Sequence, residues 1–74
     1  MSYNGYENYE TWNVCLWWNN DENSYHFYRH YAPFTARSVE EFVRENMPEG
    51  TPDFDSPADY DNVNWHEVAE NFNE

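Results

Sequence analysis

Three groups of residues in this chain have types and spacings that could do chemistry. His26 and His30 stand four apart, so on a helix they share a face and could grip one metal ion together. The intervening Phe27-Tyr28-Arg29 lacks the glutamate of a His-Glu-x-x-His arrangement, Arg29 sets a positive charge beside the pair, and a third ligand would have to come from distant His66 or an acid. Asp53, Asp55, Asp59 and Asp61 invite a calcium loop, which needs oxygen ligands at alternating positions, a glycine at the sixth and a Glu at the twelfth. Counting from Asp53, the fifth, sixth and twelfth positions are Pro57, Ala58 and Asn64; from Asp59 they are Val63, Asn64 and Glu70. Both registers fail. Cys15 is the single cysteine and falls on an apolar helix face, where a thiol acts as a small hydrophobe rather than an activated nucleophile. Gly5 and Gly50 are the only glycines, so there is no glycine loop to cradle a phosphate. The expectation is a protein without catalytic residues, metal or cofactor.

The chemistry left is charge. Fifteen acids against three arginines, Arg29, Arg37 and Arg44, give a formal charge of −12. Eleven of the fifteen acids lie at or after Glu40, so the C-terminal half carries a nearly one-sign surface. A direct binder of DNA or RNA needs cations for the phosphates, and an anionic membrane surface repels such a chain for the same reason. No apolar run approaches a membrane span and no basic-then-apolar signal segment opens the chain, while one cysteine supports no disulfide framework; a cytoplasmic protein in a host cell is expected. Closely spaced carboxylates can stand in for phosphates and occupy the groove of a nucleic-acid-binding protein. On that reading the partner is a host protein with a cationic surface, and Glu40, Glu41, Glu45, Asp53, Asp55, Asp59 and Asp61 are the phosphate surrogates. The alternative is a module that docks through an exposed Trp17 or Trp18, with a homodimer as one form of that docking, while the acids serve solubility.

These residues need a scaffold. Seventy-four residues make one domain, 1–74, and a domain this small is marginal unless its core is rich. The chain has one Leu and no Ile, but 22% of it is aromatic, and aromatic side chains bury large areas each. Much of that content lies between Tyr9 and Tyr31. Residues 1–7, polar and containing Gly5, read as a loose arm or short turn. Asn8 reads as the N-cap of a helix over 8–19, with Tyr9, Trp12 and Leu16 at helical spacing and Cys15 on the flank. Trp17 and Trp18 are adjacent and cannot share a face. Asn19-Asn20-Asp21 separates a second helix over 22–31, which Pro33 stops. Ser38-Val39-Glu40-Glu41 has the form of a capping box opening a third helix over 38–47. Two prolines and Gly50 begin an acidic loop over 48–63, whose Asp53–Asn62 part reads as an ordered loop or a short turn of helix. Asn64 caps a last helix over 64–72, with Glu67 closing a box and Val63 and Val68 placed for a hydrophobic staple. No stretch alternates with period two. The fold expected is all-α, a compact three- or four-helix domain with an aromatic-rich core.

Two stretches, Asn8-Tyr9-Glu10-Thr11-Trp12-Asn13-Val14-Cys15-Leu16-Trp17 and Val63-Asn64-Trp65-His66-Glu67-Val68-Ala69-Glu70, carry a resemblance. The chain resembles small proteins of phages, plasmids and bacteria that open on N-Y-E-T-W-N-V-x-L-W and close on V-[DN]-W-x-E-[IV]-A-E. The resemblance implies a mobile-element setting and a helical fold, and implies no activity. This chain is shorter between the motifs and richer in Asp and Glu than that pattern. The motif residues Tyr9, Trp12, Val14, Leu16, Trp65 and Val68 read as mutual core contacts, and Thr11 and Asn13 as helix-start and hydrogen-bonding residues.

Overall fold

The computed structural model describes residues 2–74. Helix α1 runs Tyr9–Asn20, α2 Glu22–Arg29, α3 Ala36–Asn46 and α4 Trp65–Phe72, with a 3₁₀ helix at Pro57–Asn62 inside the acidic loop. Among the described residues there is no strand, so the all-α reading holds. Each helix start has a local cause. The Asn8 carboxamide accepts from the Thr11 N–H, Asp21 from Asn23, Ser56 from Ala58 and Asn64 from Glu67, each satisfying a backbone donor that the helix itself leaves unpaired.

The structure moves two of the expected helix boundaries. Helix α3 begins two residues earlier, because Thr35 is its N-cap: the Thr35 hydroxyl accepts from the Ser38 N–H, and the Ser38 hydroxyl accepts from the Thr35 N–H. Ser38 is therefore the inner half of the box rather than its cap. Helix α2 ends at Arg29, not Tyr31, since His30 and Tyr31 donate three residues back, to Phe27 and Tyr28, in tighter turns. The described part of the N-terminal arm is ordered. Tyr3 and Tyr6 exchange both backbone hydrogen bonds, at 2.7 and 2.9 Å, across a turn made by Asn4 and Gly5, both at positive φ. Met1 lies outside the described residues.

The core is one cluster. Val14, Cys15 and Trp18 of α1, Tyr28 of α2, Phe34, Val39 and Val43 of α3, Tyr60 of the 3₁₀ helix, and Val63, Val68, Ala69 and Phe72 are all buried in it. Phe72 is its hub: the Tyr28 ring stacks on it at 4.1 Å between centroids, and Phe34 meets it edge-on at 5.8 Å. Helix α3 packs on α4, and α1 packs on α2, α4 and the 3₁₀ helix. By contrast α2 makes no extensive backbone approach to α3. Aromatic side chains fill that gap, with Phe27 at 5.5 Å and Tyr31 at 5.3 Å from Phe42. The chain ends are tied in as well. The Asn73 carboxamide pairs with both backbone groups of Phe34, at 2.7 and 2.8 Å, and Arg29 donates to the carbonyls of Phe72 and Glu74.

Candidate interaction surface

The opening motif supplies hydrogen bonds as much as apolar area. Thr11 is fully buried at the start of α1. Its hydroxyl donates to Asn8 Oδ1 at 2.6 Å and accepts from the Asn64 N–H at 2.9 Å, while Asn8 Nδ2 donates to the Asn62 carbonyl at 2.7 Å. Glu7 and Asn64 add two more links: the Glu7 N–H donates to Glu67 Oε1 and Asn64 Nδ2 to Glu7 Oε1, both at 2.9 Å. The opening and closing motifs thus clasp each other. This also corrects the capping box expected on α4. The Glu67 carboxylate reaches Glu7 instead of Asn64, whose N–H is taken by Thr11.

Asn13 is the second internal anchor. Fully buried on α1, it donates through Nδ2 to Asp53 Oδ2 at 2.8 Å and accepts from the Thr51 hydroxyl. Trp17 Nε1 donates to the same Asp53 oxygen at 2.9 Å. Gly50 makes this return of the chain possible. Its φ is +94°, and a Cβ there would sit 2.9 Å from the Phe54 ring. The two donors hold the Asp53 carboxyl below its usual range, since a carboxylate that accepts hydrogen bonds is favoured over the acid. Asp53 is therefore a structural carboxylate before it is a displayed one.

The other expected surrogates divide. Glu40 pairs with Arg44 at 2.9 Å and Asp61 pairs with Arg44 at 3.3 Å. Glu41 pairs with Arg37 at 3.3 Å. Asp59 accepts from the Asp55 N–H at 2.9 Å. Among the described residues, Glu45 and Asp55 form no ion pair. Five of the seven acids are thus engaged within the chain. A separate acidic strip lies elsewhere: Glu7, Glu67 and Glu70 line one open groove, and Glu67, Glu70 and Glu74 line its neighbour. The three-residue and four-residue spacings of 67, 70 and 74 carry that signal in the sequence.

Of the two candidate tryptophans, only Trp17 reaches the surface. Trp18 is 4% exposed, packed on Phe42 and Phe72, so it cannot serve as an exposed docking residue. Its Nε1–H is a buried donor with no acceptor among the described residues. Tyr9 and Trp12 also depart from expectation. Half-buried, they meet the exposed Tyr3 ring in a satellite cluster of edge-on and tilted contacts rather than entering the main core. The most exposed large aromatics are Phe27 and Tyr31, members of the aromatic face read on the second helix, and both rings pack on Phe42.

Other chemistry finds little support in the geometry. His26 sits 3.6 Å from Glu22, and no three His, Cys, Asp or Glu side chains are grouped to hold a metal among the described residues. Burial pushes the Cys15 thiol up to about 12, so it stays protonated at neutral pH. No helix of the described residues is long and apolar enough to cross a membrane.

A family model described as "Family of unknown function (DUF7249)" matches residues 1–74. The chain belongs to this family. No curated protein and no solved structure matched it. The family assignment spans the clasp, the Asn13 anchor and both acidic regions, and attaches no activity to them.

Proposed function

We propose that the protein acts by binding, presenting an anionic exterior to the cationic surface of a nucleic-acid-binding protein and displacing that protein's nucleic acid. One observation carries the reading: fifteen acids are set against only three arginines, each of which already has acceptors within the chain. Arg29 is bonded to the carbonyls at the end of α4, Arg37 to Glu41, and Arg44 to Glu40 and Asp61. The charge of −12 already counts these three cations, so the exterior potential is predominantly negative and speeds encounter with a cationic partner. The working residues are revised accordingly. Asp53 and Asp59 hold the loop, whereas Glu45 and Asp55, with Glu49 and Glu70, are exposed. In the mobile-element setting that the motif resemblance implies, a host defence nuclease, restriction enzyme or transcription factor is the natural target. The same charge works against a homodimer.

The test is an affinity column of this protein, loaded with bacterial lysate at low salt and challenged in parallel with salt and with duplex DNA. The expected result is a retained nucleic-acid-binding protein that both salt and DNA release. Retention that survives high salt and ignores DNA, or no retention, overturns charge display. Neutralising Glu45, Asp55, Glu49 and Glu70 in combination should weaken retention in steps, because a diffuse potential has no single indispensable member.

A further inference from the structure

The segment joining α2 to α3 and helix α3 itself border a groove that joins aromatic surface to acid. Tyr31, Phe34 and Phe42 form its apolar lining, and Glu41 and Glu45, one turn apart on α3, stand on its wall. Tyr31 is 57% exposed, the most of any large hydrophobic residue described, and its ring lies 5.3 Å from Phe42. Resting on the reading of a cationic partner, we propose that this groove receives an arginine side chain of that partner, its guanidinium stacked on Tyr31 and Phe42 and bonded to Glu41 and Glu45.

Charge complementarity selects this occupant. Two carboxylates beside an aromatic surface repel a second copy of so acidic a chain and attract a cation. A guanidinium is the cation that suits both walls. It is planar, weakly hydrated, stacks on rings, and presents a fork of donors to carboxylates, whereas an ammonium is a compact and strongly hydrated charge. The chain already holds one of its own arginines this way. Arg44 lies 5.1 Å from the centroid of Tyr60 and 6.0 Å from that of Trp65, and bonds Glu40 and Asp61. Arg37 does not close the groove. Its pair with Glu41 joins side chains that are 90% and 64% exposed, and such surface pairs exchange readily with another cation.

The experiment titrates the full chain with labelled hexa-arginine and hexa-lysine peptides at low salt, read by fluorescence anisotropy, with circular dichroism as the check on folding. Hexa-arginine should bind about two- to fivefold tighter than hexa-lysine, the scale of an exposed cation–π contact. Tyr31→Ala should abolish that preference. Glu41→Gln with Glu45→Gln should weaken hexa-arginine by about fivefold, as expected for two local charge contacts. Glu49→Gln with Glu70→Gln removes the same charge away from the groove and should cost less than about half of that. If both peptides bind alike and either pair of substitutions weakens them equally, the groove is not a site, while the diffuse-charge reading survives. If the folded wild-type chain binds neither peptide, the cationic-partner reading fails and takes the groove with it.

Discussion

At the scale of single residues, the buried amide of Asn13 shows where this small domain spends its polar groups. Its carboxamide joins α1 to a loop about forty positions away through Thr51 and Asp53. Truncating it leaves the Thr51 hydroxyl buried without its acceptor, and such a loss costs about 1–3 kcal/mol. Asn13→Ala should therefore lower the melting temperature by about 5–15 °C in a domain of this size. A change below the error of calorimetry would mean the network contributes nothing net. Asp53 carries a sign that can be checked. Its folded carboxyl is more acidic than the unfolded one, so its contribution is present above the ordinary aspartate range, about 3.9, and is lost as pH falls through the lower folded value. The stability difference between the wild type and Asp53→Ala should hold from neutral pH to about 4 and then close. A difference independent of pH down to strong acid would remove charge as the cause.

At the scale of elements, α3 shows how local signals can compete. Thr35-x-x-Ser38 and Ser38-x-x-Glu41 overlap, and both look like capping boxes. The structure uses the first, because starting at Ala36 adds the Ala36–Arg37 end of the helix without moving its buried residues Val39 and Val43. Thr35→Ala should cost about 1 kcal/mol in urea denaturation, the usual worth of an N-cap. Glu41→Ala should stay within about 0.5 kcal/mol, as for an exposed surface position. Equal losses would return the cap to Ser38. The clasp between the two motifs belongs to this scale too. The motifs were legible as patterns, but their pairing was not, since hydrogen bonds such as Asn64 to Thr11 span more than fifty positions.

At the scale of the whole molecule, crowding of charge decides. The molecule measures 30 × 24 × 22 Å. At 0.01 M salt the screening length is about 30 Å, so every acid feels every other; at 0.15 M it is about 8 Å and only neighbours do. The Arg37–Glu41 pair is exposed and the Arg44 pairs are partly so, and such pairs are worth about 0–1 kcal/mol each, too little to offset the repulsion among fifteen acids. Raising salt from about 0.01 to 0.15 M should therefore raise the melting temperature by several degrees. A fall would mean that ion pairs, not repulsion, dominate the folded state.

By itself the amino-acid sequence determined the helices, their N-caps on Asn8 and Asn64, the aromatic core and the sign of the exterior. Each of these follows from short-range periodicity, local capping or a sum over composition, and none depends on which distant residues meet. Tertiary structure alone decided that Trp18 turns in and Trp17 out, that Asp53 is held by Asn13, that Arg44 consumes Glu40 and Asp61, and that Tyr31 joins Phe42, Glu41 and Glu45 in lining one groove. The physical reason is the reach of a side chain. A carboxylate is free or engaged according to the donor that lies within about 3 Å of it. In this protein those donors arrive mostly from other turns and other elements.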